Sequence, residues 1–340
     1  MPPEKNAITF TTDLKAIAAI VLASEKVILS THRQCDGDGL GSELAVYWAL
    51  KKIKKNVRVI NFDRTPKKYK YLQPDDYIAY FNEQTLPLDL TCDLALIFDT
   101  NDYRLLDKLY PQLEANSKQI AFIDHHPVLT NGPAPTASSV IDVRAASTGE
   151  MAFRLIQEMN IPLDVNIAKC LYTSVVFDTQ LFRYIRSSAV THEIAAQLLK
   201  FDIQALDIHR ALFGNQTVQK MAFLAKALSQ IEYYEDGRVA ILKITDQDLF
   251  HYNVDPEESR DVIDMLMNIE TLEAAVIFRE DSNMEYKVSM RSKGRFEVLS
   301  VAESLGGGGH VFSAGAYVKA DYADMKKSVI EQISVLFNKK

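Results

Sequence analysis

The strongest limit on what the first two hundred residues can fold into is an alternation. Short apolar runs take turns with segments of helical periodicity. Residues 27–30, 57–61, 94–98 and the apolar end of 119–123 suit buried strands in length and are too short for helices. Between them, Leu40, Leu44, Tyr47 and Trp48, and later Met151, Leu155, Ile156 and Met159, recur at the spacing of one helix face. Residues 166–177 and 191–200 read as further helices. A first helix starts at a cap on Thr12 or Asp13 and runs to about Ser24. Strands and helices in alternation predict an α/β domain with a mainly parallel, doubly wound sheet of at least four strands.

The chain has 340 residues, more than one core usually holds, so two domains are expected. The net charge of -7 excludes a protein that depends on a long basic track along nucleic acid. It leaves room for a short nucleotide held by a few side chains and metals. Cys35, Cys92 and Cys170 show neither zinc spacing nor a disulfide framework, which implies a reducing compartment, the cytoplasm by default. The apolar run 16–23 is too short to span a membrane and leads directly into a core strand, so no membrane partner is expected.

Chemistry gathers where the apolar runs stop. After the first come His32, Asp36 and Asp38, with Gly37, Gly39 and Gly41 allowing a tight backbone. This loop reads equally as a plain turn. The closing Glu of a calcium loop is missing, and so is the Gly-Lys-Ser/Thr ending of a nucleotide loop. The run 94–98 ends in Asp99-Thr100-Asn101-Asp102, where Asp99 is placed as a ligand, Asp102 or Asn101 as the cap of the next helix, and Asp102 also as a support behind Asp99. The run 119–123 ends in Asp124-His125-His126-Pro127, three residues that are costly to bury unless paired. The bland reading is that these imidazoles satisfy backbone at a strand end. Asp178 follows the helix at 166–177. Ser147-Thr148-Gly149-Glu150 is a capping box, and the helix it opens could bind an anion. Lys51–Lys55 reads as a solvated helix end; Lys67, Lys68 and Lys70 read as a solvated loop, with contact to a phosphate or base as the alternative.

Together, His32, Asp36, Asp38, Asp99, His125 and Asp178 come from four separate loops. Carboxylates and imidazoles without a thiolate suit manganese or magnesium better than structural zinc. Six ligands are too many for one open ion and about right for two that share a bridging carboxylate. Two such ions can activate a shared water and stabilise both ends of an in-line phosphoryl transfer.

The second half changes character. Residues 201–216 carry a short helix and the stop signal Gly214-Asn215. Residues 231–234 and 238–244 flank Glu235-Asp236-Gly237, a hairpin signal. Residues 257–269 read as a helix with Ile263, Leu266 and Met267 inward and Met265 as core filler; 274–278 and 285–291 form a second strand pair. A smaller α+β domain with an antiparallel or mixed sheet follows, closed by a helix over 322–338. Four successive glycines, Gly306–Gly309, then His310, suggest backbone amides lined up on an anion or nucleobase. Arg291, taken alone, is a surface charge.

These motifs in this order resemble the DHH phosphoesterases, over nearly the whole chain. His32-x-x-x-Asp36-Gly37-Asp38, Asp99-Thr100-Asn101-Asp102, Asp124-His125-His126, Phe177-Asp178-Thr179 and Gly306-Gly307-Gly308-Gly309-His310 look like that family's successive motifs. The chain is most similar to the two-domain nanoRNase and pAp-phosphatase group. The resemblance implies a catalytic domain over 1–200, a linker over 201–222 and a DHH-associated substrate domain over 223–340 across a cleft. It implies that His32 and Asp36 hold one divalent ion, probed first as Mn2+ with Mg2+ second, and that Asp38, His125 and Asp178 hold the other. Asp99 bridges them, His126 assists catalysis beside the scissile phosphate, and Asp124 orients an imidazole. Arg291, Gly307, Gly308, Gly309 and His310 contact substrate. The substrates implied are short RNA oligonucleotides, cut to mononucleotides, and 3′-phosphoadenosine 5′-phosphate (pAp), which loses its 3′-phosphate. A cyclic or linear dinucleotide phosphodiesterase, a pyrophosphatase and a processive exonuclease are weighed beside it, and so is a non-catalytic nucleotide sensor. The family also implies pairing through the first domain. The sequence departs from the pattern at Cys35, usually Pro, at Gln180, usually Gly, and at Ser313, usually Ala. No ligand is lost by these changes; Cys35 reads as buried and inert.

Overall fold

The computed structural model describes residues 13–81, 88–130, 132–186, 189–214, 216–256, 259, 261–295 and 297–338. The chain divides into two compact units, Met1–Asn215 and Gln216–Lys340.

In the first unit the apolar runs become parallel strands. These are β1 (Lys26–Thr31), β2 (Asn56–Asn61), β3 (Ile78–Tyr80), β4 (Cys92–Phe98), β5 (Ser117–Asp124) and β6 (Val140–Ile141). Their order across the sheet is β3-β2-β1-β4-β5-β6, with every pair parallel. The order reverses between β1 and β4, so a crevice opens there at the carboxyl ends of the strands. The short edge strands β3 and β6 were not expected; two or three residues give no readable period.

The helices are α1 (Leu14–Ala23), α2 (Gly37–Lys52), α3 (Leu109–Asn116), α4 (Thr148–Glu158), α5 (Val165–Asp178), α6 (Val190–Leu198) and α7 (Ala205–Phe213). Asp13 caps α1 by accepting from the Lys15 amide at 3.2 Å; Thr12 lies outside the described residues. The reading of α2 as one-sided needs correction. It is buried continuously from Gly37 to Val46, while Tyr47 and Trp48 are only half-buried and pack on Tyr77. A central helix hides its periodicity because nearly every face is covered. Gly39 is required there: a Cβ would lie 2.1 Å from the Thr31 hydroxyl. The stretch read as a linker holds α7, whose Ile208 and Leu212 join the first core; Asn215 lies outside the described residues.

A buried polar network fixes the floor of the crevice. The Asn61 side-chain oxygen accepts from the Thr31 amide at 3.2 Å, and its nitrogen donates to Glu43 at 2.6 Å. The Thr31 hydroxyl donates to the Phe98 carbonyl at 3.0 Å. The network thus joins β2, β1, β4 and α2 just below the loops.

The second unit carries α8 (Val218–Leu228), β7 (Glu232–Tyr234), β8 (Val239–Ile244), α9 (Asp246–Tyr252), α10 (Asp261–Leu266), β9 (Ala274–Ser282), β10 (Glu285–Ser292), α11 (Leu299–Ser304), β11 (Gly308–His310), β12 (Ser313–Lys319) and α12 (Tyr322–Asn338). Its sheet is mixed, in the order β11-β12-β10-β9-β8-β7, antiparallel except for β8 on β9. The expected hairpin turn holds Glu235, Asp236 and Gly237 at positive φ. The helix expected over 257–269 is the shorter α10, and Glu257 lies outside the described residues. Met265 is exposed rather than core filler.

Glu43 gives a stability prediction. Burial raises its carboxyl from 4.5 to about 8. Between those values the unfolded chain has released a proton that the folded chain keeps, so stability falls as pH rises. Glu43→Gln removes this term. Its stability relative to wild type should improve by roughly 3 kcal/mol between pH 5 and pH 8, as measured by urea unfolding at both. An unchanged difference would place the Glu43 carboxyl at its ordinary value.

Candidate metal centre

The loops after β1, β4 and β5 meet the last turn of α5. His32 follows β1, Asp99 follows β4, Asp124 ends β5 and Asp178 is the last residue of α5. Three sets of ligand atoms converge, each set within 4.8 Å: His32, Asp36 and Asp99; Asp38, His125 and Asp178; and Asp99, Asp124 and His126.

Asp99 joins the sets. One carboxylate oxygen, Oδ2, lies 3.5 Å from His32 Nε2. The other, Oδ1, lies 3.8 Å from His125 Nε2 and 3.6 Å from His126 Nδ1. The residue is buried and sits at φ +61°, the left-handed region that non-glycine residues seldom occupy. Its amide donates to the Ile123 carbonyl at 3.0 Å, and the Thr148 hydroxyl donates to Oδ1 at 3.1 Å.

Asp38 is buried and held by the start of α4. The Thr148 and Gly149 amides donate to its two oxygens at 2.8 and 3.1 Å, and the Ser174 hydroxyl donates to it as well. The helix N-terminus expected to bind an anion therefore binds a carboxylate of the centre itself. Ser147 caps α4 by accepting from the Glu150 amide. Glu150 turns to the Ala146 amide and Thr191, so the capping box is only half made. Asp36 caps α2, accepting from the Asp38 and Gly39 amides at 2.9 and 3.3 Å.

The imidazoles are oriented by their far nitrogens. His32 Nδ1 donates to the Arg33 carbonyl at 2.8 Å, and His125 Nδ1 to the Ala145 carbonyl at 3.2 Å. A carbonyl only accepts, so both rings carry their proton on Nδ1 and turn the Nε2 lone pair inward. His125 Nε2 lies 3.5 Å from both Asp38 and Asp178. Burial, then the charge of His126, lowers His125 to about 3, which keeps it neutral, the form a metal would require.

His126 differs. Its side chain is 35% accessible, whereas that of His125 is fully buried. Burial works against its charge, but Asp124, with Nδ1 at 2.8 Å, raises it to about 9. Burial also opposes ionisation of Asp124, and the charge and hydrogen bond of His126 outweigh it, holding that carboxyl below its usual value. Asp124 also accepts from the His125 amide at 2.8 Å and from Asn101 Nδ2 at 2.7 Å. Asn101 was read only as a cap. Its position beside Asp99 was a signal; Ser174, one helical turn before Asp178, was another. Asp102 caps the turn at Tyr103–Leu106 and holds Arg104 at 2.6 Å. Cys35 is buried, and burial pushes its thiol well up.

This donor set fits divalent cations. Burial, then the neighbouring carboxylates, raises Asp99 and Asp178, and lifts Asp38 to about 6. The cluster repels itself, and the inward-facing Nε2 atoms of His32 and His125 complete it.

Residues 26–175 match the DHH family, N-terminal domain, and residues 236–338 match the DHHA1 domain. The chain belongs to the DHH family. The expected phosphoesterase class holds, and phosphoesterases of this family depend on metal. The chain is 27% identical over 309 residues to the probable bifunctional oligoribonuclease and PAP phosphatase NrnA of Streptococcus mutans, covering 90% of this chain and 93% of that relative. It is 26% identical over 330 residues to the bifunctional oligoribonuclease and PAP phosphatase NrnA of Thermus thermophilus, covering 94% and 93%. A crystal structure of an exopolyphosphatase-related protein from Bacteroides fragilis shares the fold, with a TM-score of 0.83 and 24% identity over 94% of each chain.

In the second unit, Arg291 is half-buried on β10 with one guanidinium nitrogen 3.1 Å from the Met290 carbonyl. Of the four glycines expected to line up amides on an anion or nucleobase, Gly308 and Gly309 form β11 with His310. A Cβ on Gly307 would lie 2.0 Å from the Gly315 carbonyl oxygen, and Gly309 takes φ +135°. They permit β11 to lie against β12.

Repulsion around Asp99 has a measurable consequence. In chelator, Asp99→Asn should raise the thermal midpoint by roughly 2–4 °C, because Asn tolerates the left-handed backbone and removes one charge. The gain in midpoint on adding Mn2+ should shrink. A lower midpoint in chelator would show that the carboxylates do not oppose one another.

Proposed function

We propose that this DHH phosphoesterase cuts short oligoribonucleotides to mononucleotides and removes the 3′-phosphate of pAp, using two divalent ions, Mn2+ in first place. The observation that carries the reading is the split of Asp99. Its two oxygens face different imidazoles, at 3.5 and 3.8 Å, so one carboxylate serves two ligand sets. His32 and Asp36 would hold one ion and Asp38, His125 and Asp178 the other, with Asp99 shared between the two ligand sets. Ions bound there would supply a nucleophilic water and neutralise charge on the phosphoryl oxygens.

The remaining work falls to the chain. His126, cationic beside Asp124 and partly accessible, steadies the negative charge of the phosphate and supplies a proton to the departing ribose oxygen. Asp124 and Asn101 hold that ring in place. Arg291 and His310 grip substrate phosphate, a reading supported by their shared row in the second sheet, where each pairs with Ser313. The curated relatives named as oligoribonuclease and PAP phosphatase support the choice of substrates. Among the described residues no helix is long and apolar enough to cross a membrane. The three buried free cysteines support a cytoplasmic setting.

The purified chain with Mn2+ should release nucleotide from a ribo-dinucleotide and a ribo-5-mer, and phosphate from pAp, while a 24-mer, cyclic di-AMP and pyrophosphate react far more slowly. His126→Ala should lower kcat by about 10²–10⁴-fold with metal binding retained. Turnover of pyrophosphate alone, or pAp binding without turnover, would overturn the reading.

A further inference from the structure

The two faces of the second sheet are covered unequally. On one face, Tyr286, Val288, Met290 and Ala314 pack in a core with Val301 of α11 and Met325 and Val329 of α12. On the other, α8, α9 and α10 cover β8 and β9 through Ala240, Leu242, Ala275 and Ile277. No residue of β10, β11 or β12 belongs to that second core. Their side of it presents a separate set, because alternate residues of a strand share a face.

The register orders this set in rows. His310 pairs with Ser313, and Ser313 with Arg291. Gly308 pairs with Gly315, and Gly315 with Ser289. Tyr317 pairs with Lys287. At one end stand the cationic Arg291 and His310. In the middle, two glycines and a serine leave a shallow trough. At the other end the Tyr317 side chain is 55% exposed, with the Lys287 ammonium 5.4 Å from its ring centroid. Beyond that row Glu285 and Lys319 neutralise each other at 2.8 Å, which closes the positive stretch. Arg291 and Lys287 stand four residues apart on one strand, ~13 Å, more than one nucleotide of an extended strand.

A cross-strand Lys–Tyr pair also stabilises a sheet modestly. That account explains the pair but not the glycine trough or the concentration of positive charge in a chain of net charge -7. A single-stranded nucleotide needs a stacking surface for a base and a cation for a phosphate, set along a groove without bulk. This face supplies all three.

We propose that Tyr317 and Lys287 form a nucleotide subsite separate from the grip at Arg291 and His310. The Tyr317 ring stacks a base, and Lys287 takes the adjoining phosphate. The subsite engages oligoribonucleotides and is too far along the face for a mononucleotide held at Arg291. It therefore sets length discrimination, and it rests on the proposed nucleotide chemistry.

The test uses the full chain with Mn2+ and reads the ratio of kcat/KM for a ribo-5-mer to that for pAp. Tyr317→Ala should lower this ratio about tenfold, the scale of one lost base stack. Tyr317→Phe should restore the wild-type ratio, since the ring does the stacking. Lys287→Met should lower it several-fold and flatten the salt dependence of 5-mer affinity by a little under one unit of slope. An unchanged ratio in Tyr317→Ala, or an equal loss in Tyr317→Phe, would overturn the subsite. If wild type hydrolyses no nucleotide, the proposed function fails by itself. Binding of a fluorescent 5-mer then decides the subsite: weaker binding by Tyr317→Ala upholds it, and equal binding sinks it.

Discussion

The rest of the structure depends on keeping several carboxylates in one small, partly buried space. Asp99 is driven up by burial and then by Asp38, Asp36, Asp124 and Asp178. Nothing in an apolar core would assemble such a group. It persists because each member is tied from outside: Asp38 by the α4 amides and Ser174, Asp36 by the first turn of α2, Asp124 by Asn101 and two histidine amides. The fold supplies dipoles and amides, and the residual repulsion leaves a strong preference for divalent cations.

The adjacent histidines show how one strand end makes two different groups. Both follow β5, yet one is fully buried and turns its Nε2 inward, while the other stands partly accessible against Asp124. Burial of His125, and then the charge of His126, favours its neutral ring. A single hydrogen-bonded carboxylate makes the neighbouring ring basic. The chemistry differs because the two rings meet different partners, the Ala145 carbonyl for His125 and the Asp124 carboxylate for His126.

In the second unit the glycines serve packing before recognition. They bring β11 onto β12, and that pairing sets His310 in register with Ser313 and Arg291. The row at Tyr317 and Lys287 is produced by the same register, which is why two separated sequence motifs share one face of the sheet.

Much of this was legible in the residues. The strand positions, the order of the motifs and the ligand types follow from local periodicity and from carboxylates and imidazoles placed directly after apolar runs. Those properties are carried by neighbours in the chain, so the sequence alone determined the kind of centre and the class of metal that suits it. Tertiary structure alone decided the rest. The amides that hold Asp38 lie 110 and 111 residues away, the burial of α2 on nearly every side comes from elements packed around it, and the two-residue strand β6 exists only because β5 offers an edge. The division of the Asp99 oxygens between His32 and His125 is likewise set by where β1, β4 and β5 end in space. Long-range contact geometry has no signature in local spacing, because loop closure can join many different partners at similar entropic cost.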